Sequence, residues 1–163
     1  LLDSRGRVVG VNTAIRSGTG INAGVGFAVP VNTVKRIVPQ LIADGVYDYP
    51  YLGITSDTRF SVAELAEPLD LPVNYGALIS EVQPGTAAAE AGLQGGDREI
   101  EVMGRAVVAG GDIITAIDGE QTRTFDDLVA YLVSDTEVGQ QVTLTLYRDG
   151  QRMEVPVTLG QRP

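Results

Sequence analysis

The chain has 163 residues, 44% of them apolar, with a formal net charge of -9, no cysteine and no histidine. Its 12 basic residues are scattered and form no stripe for a phosphate backbone, so nucleic acid is not an expected partner. No run approaches the roughly 20 apolar residues of a membrane span, and without histidine no Ser-His-Asp relay can be assembled.

The opening Leu1-Leu2-Asp3-Ser4-Arg5-Gly6-Arg7 lacks the apolar run of a signal peptide and reads as a chain already entering a turn, the pattern of a fragment. The β-branched residues in 7–15 predict a strand, the glycines in 17–26 a loop, and Phe27-Ala28-Val29 a short strand closed by Pro30. Val34, Ile37, Val38, Leu41 and Ile42 recur at helical spacing, with Asn32 or Thr33 as the cap and Asp44-Gly45 as the stop. Pro39 falls inside this helix, so a kink or a late start is expected. Residues 46–50, with Tyr47, Tyr49 and Pro50, form the expected domain boundary.

Beyond it the grammar changes. Residues 52–55 read as a short strand, Ser61 caps a weak helix that Pro68 stops, and residues 77–82 read as one strand ended by Pro84-Gly85. Thr86 caps a short alanine-rich helix that Gly92 ends. Two similar phrases follow, Gly95-Gly96-Asp97 and Gly110-Gly111-Asp112. Between them, alternation of Glu99 and Glu101 with Ile100 and Val102 predicts a hairpin with one solvated face, inserted ahead of a strand at 113–117. Thr124 caps a helix with Phe125, Leu128, Val129 and Leu132 along one side. The alternating residues 142–146, the Asp149-Gly150 turn and a return strand through Leu159 form a hairpin, and Pro156 implies that the return strand lies at an edge or faces outward there. The expected class is α+β or a partly open barrel.

Tyr51-Leu52-Gly53-Ile54 is the most informative tetrapeptide. A glycine between apolar residues at a strand start either packs there, or lets the backbone aim several N–H groups at one point, where they bind a carboxylate without a cationic side chain. The strand after it would offer its edge to an extended peptide, and the helix starting at Phe125 would form the opposite wall. Other signals are weak: Gly18-Thr19-Gly20 lacks the helix a dinucleotide fingerprint needs, Asp97, Glu99 and Glu101 alternate as a solvated strand face, Asp126-Asp127 suits a helix start, and Lys35 falls on the polar side of its helix. No cofactor or metal is expected.

The order of landmarks from the apolar-x-Gly-apolar loop to the Asp149-Gly150 hairpin resembles that of bacterial PDZ domains, over residues 51–160. The resemblance implies that Tyr51, Leu52, Gly53 and Ile54 form the carboxylate-binding loop. Ile54, Phe125, Val129 and Leu132 would form the side-chain groove, while Leu128 faces either groove or core. The hairpin at 98–109 departs from the minimal pattern. Residues 1–46, with Val8-Val9-Gly10-Val11-Asn12 and Gly26-Phe27-Ala28-Val29-Pro30, resemble the end of the protease domain of HtrA (Deg) serine proteases, just beyond the nucleophile segment. What this implies is a PDZ-like partly open β-barrel or sandwich with two helices, preceded by strands and one helix left from a trypsin-like β-barrel. Asn22, Ala23, Gly24, Val25 and Gly26 match the loop beside the primary specificity pocket. The parent would be a cell-envelope endopeptidase of protein quality control, oligomeric through its protease domain and anchored or free. The fragment itself would bind peptide C-termini or unfolded segments without cutting them. The alternative is a non-catalytic PDZ adaptor with a degenerate protease-like part.

Overall fold

The computed structural model describes residues 1–15 and 26–163, which divide into two units, Leu1–Tyr47 and Asp48–Pro163. In the first, β1 (Gly10–Ile15) pairs antiparallel with β2 (Gly26–Pro30), with a register shift between Asn12 and Ala14. Helix α1 (Val31–Asp44) follows without a break. Its cap is Pro30 at φ -57, ψ 142, not Asn32 or Thr33, and no side chain caps it. Proline needs no donor at a helix entry and its ring presets φ, so the helix starts at Val31, ahead of the expected cap, and the late start that was one of the two expectations for Pro39 does not occur. It runs through Pro39, which leaves the carbonyl of Lys35 without its usual donor; Lys35 is exposed, so water can serve that oxygen. Gly45, at φ 74, closes the helix by donating its N–H to the Leu41 carbonyl at 3.1 Å.

The second unit begins with β3 (Pro50–Tyr51), bends at Gly53, and continues as β4 (Ile54–Thr55). Helix α2 (Val62–Ala66) carries a full capping box, Ser61 with Glu64, and buries Val62 and Leu65. The single strand expected over 77–82 is two: β5 (Ala77–Leu78) and β6 (Glu81–Val82). The break exists because β5 and β6 serve different partners, as described below. Helix α3 (Ala87–Glu90) is short and buries Ala87 and Ala88. Strands β7 (Arg98–Val102) and β8 (Arg105–Ala109) form the inserted hairpin, with Met103 and Gly104 both at positive φ, the signature of a two-residue turn. Then come β9 (Ile113–Ile117), β10 (Glu120–Gln121), α4 (Phe125–Asp135), β11 (Gln141–Arg148), β12 (Gln151–Thr158) and β13 (Gly160–Gln161).

The main sheet runs β10-β9-β11-β12, with β5 also on β9. Strand β12 is its edge, which accommodates Pro156 opposite Thr143. Among the described residues, strand β4 pairs only with β6, and β3 only with β13. The sheets stay open among the described residues and no barrel closes. One core gathers Ile79, Ile114, Ile117, Leu128, Leu144 and Leu146 between the main sheet, α3 and α4. A second joins Val62 and Leu65 of α2 to Val102 and Val107 of the hairpin, so helix and hairpin bury each other's apolar faces.

The repeated glycines bracket that hairpin. The N–H of Asp97 donates to the Ala109 carbonyl at 3.0 Å and that of Asp112 to the Gln94 carbonyl at 3.0 Å. A side chain at Gly111 would overlap the Ile79 carbonyl oxygen, so glycine is required there for backbone packing. Asp112, wholly buried, accepts from Arg148 Nε and Nη2, both at 2.7 Å, and from the Gln94 N–H at 2.9 Å.

Candidate functional site

A cavity of about 280 Å³ lies between the β3–β4 segment and α4. Tyr51, Leu52, Gly53 and Ile54 line one side of it, and Phe125, Val129 and Leu132 the other, so the seven residues singled out from sequence meet at one place. The capping box of Thr124 with Asp127 fixes where α4 starts, and Asp127 serves as its partner rather than as a general first-turn charge. The rotation of α4 follows from burial. Leu128 is 0% exposed and packs in the main core while still touching the cavity, whereas Val129 is 40% exposed on the cavity wall. Val133, one turn after Val129, also lines it. Phe125 stands at the end of this groove and is shared with a second cavity of about 180 Å³ beside α2.

The backbone opposite α4 is the distinctive part. The Gln83 N–H donates to the Gly53 carbonyl at 2.8 Å and the Ser80 N–H to the Thr55 carbonyl at 2.9 Å. Both carbonyls therefore point to the β6 side, and alternation along a strand sends the N–H and C=O of Ile54 to the other edge. No strand pairs with that edge among the described residues. The N–H groups of Leu52 and Gly53, both buried residues, likewise have no acceptor among the described residues. An unmet buried N–H costs on the order of 1–3 kcal/mol, so three such donors in succession favour an incoming anion or carbonyl.

The bend is held from behind. Gly53 sits at φ 86, and a Cβ there would overlap the side chain of Thr86. Thr86 Oγ1 donates to the Gln83 carbonyl at 2.6 Å, and the N-cap position it occupies carries no side-chain cap bond. The Ala88 N–H donates to the Leu52 carbonyl at 2.8 Å, and the Tyr51 hydroxyl to Gln83 Oε1 at 2.9 Å. The start of α3 is thus a clamp on the loop.

Gln83 and Arg162 line the groove and were not singled out from sequence. Neither stands in a motif; only the pairing of β4 with β6 and of β3 with β13 brings them near Gly53. Val133 carried a usable signal, its spacing of four from Val129. Of the specificity-pocket loop, Asn22, Ala23, Gly24 and Val25 lie outside the described residues, as does Gly18-Thr19-Gly20, and Gly26 opens β2. Asp97, Glu99 and Glu101 are exposed, and the described residues contain no acidic group arranged to hold a metal.

An open strand edge, a glycine bend with unpaired amides and a helix wall define a PDZ module. The match to the family described as PDZ domain spans residues 50–159, and the chain belongs to that family. Similarity to named proteases extends over the whole length. The chain is 38% identical over 163 residues to Protease Do-like 1, chloroplastic, of Arabidopsis thaliana, and covers 34% of that protein. It is 38% identical over 159 residues to the periplasmic pH-dependent serine endoprotease DegQ of Escherichia coli (strain K12), covering 98% of this chain and 31% of DegQ. A solved structure titled HtrA-type protease AlgW with decapeptide superposes with a TM-score of 0.68 at 27% identity, over 99% of this chain and 44% of that one. The chain spans about a third of the length of the curated relatives it matches.

Proposed function

We propose that the groove between β4 and α4 captures the apolar end of an extended polypeptide by strand addition. The carrying observation is the run of N–H groups at Leu52, Gly53 and Ile54 that meet no acceptor among the described residues, beside an edge that no other described strand occupies. The ligand's carboxylate accepts from these donors, its backbone extends the β4 ladder, and its last side chain enters between Ile54, Val129 and Leu132. Phe125 bounds the far end. The named HtrA-type relatives support placing the module in an ATP-independent serine endopeptidase of the cell envelope, where it would present unfolded segments or regulate cleavage.

In that reading residues 1–46 are the end of the protease domain with its linker helix, and residues 51–160 the PDZ domain. The exposed apolar side chains of Val9, Val11 and Phe27 support it, since a free-standing hairpin gains nothing by presenting them to water. This segment contains no histidine, so cleavage in the parent protein needs groups supplied by other residues. Self-association through the protease domain and a membrane anchor belong to the same proposal. The test of the parent is the sequence encoded immediately upstream: a Gly-x-Ser-Gly-Gly-like segment with an earlier histidine is expected, and a replaced serine or histidine would point to a non-catalytic adaptor. The test of the groove is calorimetry with an apolar peptide as acid and as amide. The acid is expected to bind in the micromolar range, more than 1 kcal/mol tighter than the amide. Equal affinities would remove the carboxylate role from the loop.

A further inference from the structure

The chain carries 21 acidic and 12 basic residues, yet among the described residues no acidic residue lines the groove, and the one charged lining residue is Arg162. This arginine is brought there by β13. Gly160 pairs with Tyr51 and Gln161 with Pro50, so the strand that carries Arg162 lies directly beside the residues leading into the loop. Two further bonds hold it: the Arg162 N–H donates to the Tyr49 carbonyl at 3.0 Å, and Gln161 Nε2 donates to Asp48 Oδ1 at 2.6 Å. Among the described residues, no carboxylate forms an ion pair with Arg162.

We propose that Arg162 is a specificity-determining residue that makes the groove select chain ends over internal segments. The inference rests on the peptide-capture reading and goes beyond the amide loop. Three neutral N–H groups can donate either to a carboxylate or to a run of main-chain carbonyls. An arginine lining the groove favours the carboxylate alone, because charge-assisted hydrogen bonds are roughly twice as strong as neutral ones and the planar fork matches two carboxylate oxygens. In a chain of net charge -9 it also offsets the general repulsion that an incoming anion meets. Because the cation follows β13, the strand paired with β3, and does not come from the loop, the end of the ligand is gripped from the loop and from the strand beside it.

The test uses the full 163-residue chain and one apolar peptide made as free acid and as amide, with Arg162→Gln and Arg162→Lys beside the unaltered protein. Arg162 is exposed, and matching circular dichroism establishes that the variants are folded. The expected result is that R162Q loses about tenfold in affinity for the acid and nothing for the amide, and that R162K recovers part of the loss. The acid's affinity should also fall more with salt in the unaltered protein than in R162Q. An R162Q variant that keeps the full preference for the acid would overturn this inference alone. An unaltered protein that binds both forms equally, or neither, would overturn the peptide-capture reading and this inference with it.

Discussion

Replacing Gly53 by alanine perturbs the loop in two separable ways. The backbone at φ 86 costs an alanine about 1–2 kcal/mol. The new methyl also overlaps the Thr86 side chain, and forcing extra volume into a packed site costs about 1–3 kcal/mol. Together the loss is about 2–5 kcal/mol, a large part of a small domain's stability. The overlap includes the Cβ of Thr86, so Thr86→Ala relieves only part of it, and Thr86→Gly removes all of it. A double-mutant cycle of Gly53→Ala with Thr86→Gly should therefore show a favourable coupling of about 1–3 kcal/mol in urea unfolding, with the backbone strain left over. Peptide affinity should fall in both Gly53→Ala proteins, because the strained bend no longer holds its amides in place. A Gly53→Ala protein within 0.5 kcal/mol of the parent, with unchanged affinity, would refute this picture of the bend.

Other expectations follow from the same geometry. Leu128→Ala should cost about 2–5 kcal/mol in unfolding, because the side chain is wholly buried; Val129→Ala should leave stability within about 0.5 kcal/mol while weakening an apolar peptide several-fold. Arg148→Met should cost about 3–5 kcal/mol, since it strands the carboxylate of Asp112, 0% exposed. Asp112→Asn should cost less, because the Arg148 side chain is 21% exposed and keeps its bond to the Gly92 carbonyl. Thermal unfolding of the two variants decides that order. The hydroxyl and N–H of Ser61 hold the Glu64 carboxyl below its ordinary range, so its contribution is present above about pH 4.3 and lost as pH falls through the lowered value. Glu64→Gln should flatten the acid limb of a stability-pH profile, and an unchanged limb would count against that cap.

Periodicity and turn chemistry made most of the second unit legible. Thr124 and Ser61 as caps, Asp149-Gly150 as a hairpin turn and Pro156 on an edge are local features, and local sequence carries them. The failures share a cause. Residues 77–82 read as one strand because nothing local reveals that Ala77 pairs with Ile114 while Val82 pairs with Ile54. Asn32 and Thr33 suit the cap of α1 by residue type, but the preset dihedrals of Pro30 win. In the groove, the glycine and the apolar wall were readable from spacing. Gln83, Thr86 and Arg162 reach the loop only through pairings distant in sequence, and no motif announces them.

Amide chemical shifts offer the most direct test of strand capture. In a proton–nitrogen correlation spectrum titrated with an apolar peptide acid, the resonances of Leu52, Gly53 and Ile54 should move downfield as their protons find acceptors. Those of Val129 and Leu132 should respond to the side chain beside them. Saturable binding that leaves the three loop amides in place would show that the ligand sits elsewhere, and the open edge would have no part in recognition.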